Sequence, residues 1–160
     1  MQPMSAVAIF CEDIREEASG QNSIVGTLPD NLTLAAAQPP QENARPLFPK
    51  LGLYLRINFD ANGEPPRDLS VRLINTDGEP HPLQGWSRET VDKAFADSRE
   101  NGMPVVGLIL TVVAAPFIFP GAGKLMAVVN VDGADHIAGA MNVIVSQDSS
   151  LSSQSAGGDR

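Results

Sequence analysis

The side chains best able to do chemistry in this sequence lie between Ala6 and Gly26. An apolar, strand-like run there ends in Glu12, Asp13, Arg15, Glu16 and Glu17, with Phe10 and Cys11 just before them, and a second apolar run follows. Four carboxylates this close could offer the several hard oxygens that a divalent cation takes. Neighbouring residues on a strand point to opposite faces, so Glu12 and Asp13 reach a common ion only across a turn or bulge. The expected arrangement is a charged strand end and a solvated turn, with Arg15 paired to a nearby carboxylate. Glu12, Asp13, Arg15, Glu16 and Glu17 are thus a candidate interaction surface. The alternative is a small-ligand- or divalent-ion-dependent binding protein that uses the same cluster.

Other motifs fall short of a known chemistry. Cys11 would act as a nucleophile only beside a base, and the two histidines, His81 between prolines and His136 near the C-terminal end, have no spacing that ties them to it. A buried, inert thiol is the expectation. Asn58, Asp60, Asn62 and Gly63 imitate the first half of a calcium loop, but Leu69 stands where the closing bidentate glutamate belongs, so the stretch reads as a polar turn. Gly121-Ala122-Gly123-Lys124 resembles the end of a phosphate loop, yet Ile118 replaces its first glycine and Leu125 its magnesium-binding Ser or Thr. Trp86 and Phe95 are expected to pack a helix onto a sheet. No catalytic residue, no cofactor-binding residue and no metal ligand is assigned, and the protein is not expected to be an enzyme or to carry a cofactor.

The composition sets the class. A chain of 160 residues with 42% hydrophobic residues can bury one core, and 14 Gly with 13 Pro suit short strands joined by turns. A net charge of −8 argues against nucleic acid or an anionic membrane as partner, because both attract positive surfaces. One cysteine excludes an internal disulfide, and the first residues lack the charged and apolar regions of a signal peptide. The cytoplasm, or a virion assembled there, is the expected location.

Alternation then places the elements. Leu51, Leu53, Leu55, Ile57 and Phe59 alternate with Gly52, Tyr54, Arg56 and Asn58, which predicts a half-buried strand over 50–60. Met4–Phe10, Ser23–Leu28, Leu32–Leu34 and Leu69–Leu73 are further strand candidates, with Phe10, Ile14, Ile24 and Val25 expected to matter most for folding. Four prolines between Ala35 and Pro49 predict an extended surface loop. Ser87 as N-cap and Asn101-Gly102 as stop predict one helix over 88–100, a connector lying across an end or edge of a sheet. Val105–Phe119 is nearly all apolar but too short to span a bilayer as a helix, and reads as a strand buried on both sides. Asp132-Gly133 suits a two-residue hairpin turn between Lys124–Val131 and Ala134–Val145. These elements predict an all-β fold: a seven- to eight-stranded antiparallel β-sandwich, immunoglobulin- or C2-like, with one short connector helix. A small β-barrel is the alternative. The sandwich is expected over 1–146 and a flexible Ser/Gly-rich tail over 147–160.

The stretch F-C-E-D-I-R-E-E from Phe10, followed by S-I-V-G to Gly26, resembles the opening signature F-C-[DE]-D-[IV]-R-x-E…S-[LI]-x-G of a family of small bacterial and phage-borne proteins of unknown function. Phe117 to Gly133 is similar to that family's closing sequence, with Leu125 where a tyrosine is usual, so a tyrosine-dependent corner does not carry over. The resemblance spans about Ala6 to Val145 and implies a β-sandwich with no established activity. Together with the missing catalytic set, it points to a binding or assembly module, a structural component of a bacterial or phage particle. A protein partner or homo-oligomer is expected.

Overall fold

The computed structural model describes residues 5–35, 45–76, 80–119 and 121–146. The expected tail at 147–160 and most of the expected loop at 36–44 lie outside the described residues, as do positions 77–79 of one expected turn.

Two open sheets face each other across one core. The first, sheet A, has the order β2 (Asn22–Thr27), β1 (Ser5–Glu16), β5 (Leu51–Asp60), β8 (Val105–Ala114). The second, sheet B, runs β3 (Asn31–Ala35), β11 (Ala134–Ser146), β10 (Gly123–Val131), β6 (Leu69–Asn75), β7 (His81–Gly85). A small pair, β4 (Leu47–Phe48) with β9 (Phe117–Ile118), lies outside both sheets. The molecule is therefore an all-β sandwich and not a closed barrel. Two findings refine the expected topology. Among the described residues the sheets hold four and five strands, and β3 joins β11 in parallel while every other pair is antiparallel. The stretch around Leu47 is no plain loop either, because β4 pairs with β9 and Phe119 N–H donates to the Pro46 carbonyl at 2.9 Å.

Period two explains the core. Leu53, Leu55, Ile57 and Phe59 of β5 meet Leu69, Val71 and Leu73 of β6 and Leu125, Ala127, Val129 and Val131 of β10 in a single buried cluster. The β10–β11 hairpin turns at Asp132 (φ 50) and Gly133 (φ 86), both in the left-handed region that a type I′ turn demands. The sheets approach each other closely where β1 passes β11. A Cβ on Gly139 would stand 2.7 Å from the Ala8 carbonyl oxygen, so only glycine fits.

Helix α1 (Arg88–Glu100) begins where the sequence places it, with Ser87 Oγ accepting the Thr90 N–H at 3.2 Å. It connects β7 of one sheet to β8 of the other across an end of the sandwich. Val91 and Phe95 turn inward, and Phe95 meets Phe59 at 5.9 Å between ring centroids. Arg99 lies over the Phe95 ring and donates to the carbonyls of Ala61 and Gly63, both at 2.6 Å, while Arg88 reaches those of Pro65 and Pro66. The calcium-loop imitation thus serves as a turn, with Asp60 Oδ1 accepting the Asn62 N–H and the helix docked on its carbonyls.

The turn at Asp132 carries a pH-dependent fastening. Its carboxylate accepts the backbone N–H of Arg67 at 2.7 Å and of Asp68 at 2.9 Å. These bonds, the one from Asp68 foremost, hold the Asp132 carboxyl below the usual carboxylate range. A folded-state value below the unfolded one stabilises above the unfolded pKa and is lost as pH falls through the folded one. Asp132→Asn keeps an acceptor and tolerates the positive φ. The expected result is a loss of about 0.5–1 kcal/mol at neutral pH, fading in acid below about pH 4. Urea titrations of both proteins from pH 7 to pH 2 check this; parallel stability–pH curves would contradict it.

Candidate functional site

Strand β1 positions the five charged residues, and the structure divides them. Asp13 lies beside Lys50, 2.5 Å from its Nζ, and Arg15 Nε approaches the other Asp13 oxygen at 3.4 Å. Asp13 also accepts the Ile14 N–H at 2.9 Å. Lys50 is the main reason that the Asp13 carboxyl is held below its usual range. The Glu12 carboxylate turns instead across Gly26, where a Cβ would come within 2.7 Å of Glu12 Oε2; Gly26 has φ +63. Glu16 and Glu17 continue to the strand end and the turn, where Glu17 N–H donates to the Gln21 carbonyl at 2.7 Å. The expected pairing of Arg15 is therefore observed, and the Glu12 and Asp13 carboxylates lie apart, one against Gly26 and the other against Lys50 and Arg15. Among the described residues no three His, Cys, Asp or Glu side chains are grouped so that they could hold a metal ion.

Glu12, Asp13 and Arg15 border an open cleft of ≈ 410 Å³ with Val25, Phe48, Pro49 and Lys50. Glu16 and Glu17 do not line it. Lys50 is the residue that sequence reasoning missed. It comes from the far side of a long connection, and only the continuation of the β1–β5 register beyond Cys11↔Gly52 brings it opposite Asp13.

Cys11 is fully buried, and burial pushes its thiol up, away from a reactive thiolate. A Cβ on the facing Gly52 would lie 2.7 Å from the Cys11 sulfur, which shows how tightly the thiol is packed. His81 stands exposed on β7, in the other sheet. His136 sits on β11 opposite Val129, also in the other sheet.

The surface that the sequence did not announce is the outer face of sheet A. Registers set its rows: Val7, Arg56 and Ile109; Ile9, Tyr54 and Thr111; Cys11, Gly52 and Val113; and at the acidic end Asp13 with Val25. Val7 is 52% exposed, Ile109 48%, Val113 41% and Val25 36%. Two expectations are corrected here. Strand β8 is not buried on both sides: Val106, Leu108 and Leu110 face the core while Gly107, Ile109, Thr111 and Val113 face outward. Val25 is no core residue, because register with Asp13 turns it outward, and Ile14 and Ile24 are only half-buried. Phe10 alone of that expected set is fully in the core.

Polar groups bound this apolar band at both ends. At one, Arg56 Nε donates to Asn58 Oδ1 at 3.0 Å and Asn58 Nδ2 to Ser5 Oγ at 2.9 Å. At the other stand Asp13, Arg15 and Lys50. Sheet B differs. Its exposed Ile137 and Ile144 share their face with Arg72, Asp135, Asn130, Asn142 and Asn31, which bond to one another across the strands.

Among the described residues no helix is long and apolar enough to cross a membrane. Comparison of the chain with protein-family models, with curated proteins and with solved structures finds no match.

Proposed function

We propose that this protein is a non-enzymatic binding or assembly module and that its contact surface is the outer face of sheet A, with Glu12, Asp13, Arg15, Glu16 and Glu17 as its charged rim. The carrying observation is the apolar surface of Val7, Ile9, Tyr54, Ile109 and Val113, with Arg56, Asn58 and Ser5 at one end and Asp13, Arg15 and Lys50, beside Val25, at the other. An apolar centre inside a polar rim is the anatomy of a protein interface, and contiguous apolar surface is rarely left bare without a use. The resemblance of the opening and closing motifs to small bacterial and phage-borne proteins agrees with a role in a cytoplasmic assembly or a particle. Asp13, already engaged by Lys50 and Arg15, is poorly placed to serve a cation.

In the expected result, the purified protein forms a defined oligomer or co-sediments with a particle or a stoichiometric protein partner. Val7→Lys with Val113→Lys abolishes that association while the melting temperature holds, since both side chains are half exposed. Charge reversal at Glu16 and Glu17 changes chiefly its rate and salt dependence. A monodisperse monomer that retains no partner would sink the proposal.

A further inference from the structure

We infer that the open edge of β8 is the seam between two copies of this chain, which pair antiparallel across a dyad at Leu110 to make one eight-stranded sheet. This rests on the binding-and-assembly reading above and names its partner. Among the described residues β8 has β5 along one edge and no strand along the other. Helix α1 docks on the loop after Asp60, at the end where β8 begins, since Asp60 pairs with Val105. The remaining edge therefore offers unpaired backbone donors and acceptors over an apolar strand, the condition that invites strand addition.

The other three edges are blunted. Strand β7 contains Pro82, which lacks an N–H, and its register with β6 shifts at Arg72. Strand β3 is five residues long. Strand β2 is six, is broken by the left-handed Gly26, and borders the carboxylates of β1. Strand β8, ten residues of sequence VVGLILTVVA, has no charge, no proline and no bulge against β5.

Charge and shape select a second copy as occupant. Each chain carries −8, so two copies associate most readily through a strip without ionisable groups, and β8 is the longest such edge. With the dyad at Leu110, Ile109 opposes Thr111 of the other copy, and Gly107, with the Arg56 guanidinium lying over it, opposes Val113. Ile109 then meets the smaller Thr111 on each side of the dyad, outward face beside outward face, as cross-strand pairs require. A two-fold contact of this kind closes at two chains. It also joins the two apolar bands into one surface.

Analytical ultracentrifugation of the full chain tests the seam. The expected result is a monomer–dimer equilibrium that tightens from low to high salt, because screening relieves repulsion between like-charged chains. I109K/T111K sets lysine against lysine twice across the dyad and weakens the dimer about tenfold or more. I109K/T111E sets lysine against glutamate and restores the dimer. Both positions are solvent-facing, so circular dichroism and melting confirm that each variant folds. Equal behaviour of the two variants, a species larger than the dimer, or a dimer that loosens with salt overturns the seam. A wild-type monomer that still binds a protein partner through Val7 and Val113 overturns the seam alone; a monomer that binds nothing overturns the assembly reading with it.

Discussion

Phe95→Ala is expected to lower the stability of the fold by about 3–5 kcal/mol, the usual cost of deleting a buried phenylalanine. Phe95 is fully buried on the inner side of α1, stacked at an angle on Phe59, with the Arg99 guanidinium 5.6 Å above its ring. The helix has little else inward but Val91. At 13 residues it is too short to persist on propensity alone, so tertiary packing must hold it. Truncation removes the ring–ring contact, opens a cavity beside Phe59, and takes away the ring over which Arg99 lies. Urea unfolding followed by tryptophan fluorescence and by far-ultraviolet circular dichroism gives the measurement. Lys93→Ala, exposed on the same helix, serves as the control and should stay within about 0.5 kcal/mol. A loss below about 1 kcal/mol for Phe95→Ala would show that the helix is dispensable to the core.

Gly139→Val is the second large effect. The residue lies on the inner face of β11 opposite Ala127, and its missing side chain lets Ala8 of β1 come against the backbone. A Cβ there would meet the Ala8 carbonyl oxygen at 2.7 Å, the Ala8 Cβ at 3.1 Å and the Ala8 carbonyl carbon at 3.3 Å. Two of these three neighbours are main-chain atoms of a strand held on its far side by β5, so β1 cannot yield without shifting its register partners. Overpacking of this kind costs about 1–3 kcal/mol, and the added methyls of valine place the effect at the upper end. Ala8→Gly in the same chain should recover only part of the loss, because the carbonyl remains. Thermal melts of the two single variants and the double variant check this. Full recovery in the double variant would mean that the Ala8 methyl, and not its backbone, sets the spacing of the sheets.

Much of the scaffold was legible because its signals are local. Strand β5 shows its alternation without interruption, α1 announces both ends through Ser87 and Asn101-Gly102, and the last hairpin is marked by Asp132-Gly133. Strand β8 misled for a physical reason. A strand with valine, leucine and isoleucine on both faces reads as two-sided burial, and nothing in its own residues shows that one face meets solvent. Two-residue β4 and β9 are too short for any period, and the parallel pairing of β3 with β11 joins segments that no local pattern links. The charged end of β1 was visible as composition, and Arg15 with Asp13 as a near-neighbour pair. Lys50 was not, because its proximity to Asp13 is a product of register between β1 and β5. Val25 likewise looked like core until its pairing with Asp13 showed which way it faces.

The parallel strand at the border of sheet B also governs the order in which the chain can assemble. Asn142 Nδ2 donates to Asn31 Oδ1 at 2.9 Å across 111 residues of sequence, and Asn142 N–H bonds the Asp30 carbonyl at 2.7 Å. Joining such distant segments costs loop-closure entropy that hairpins avoid, and folds rich in distant contacts form slowly. On a growing polypeptide, β3 therefore leaves the ribosome long before β11, its sheet neighbour among the described residues, exists. Leu32 and Leu34, both destined for the core, must wait in solvent or in temporary contacts until β11 is complete.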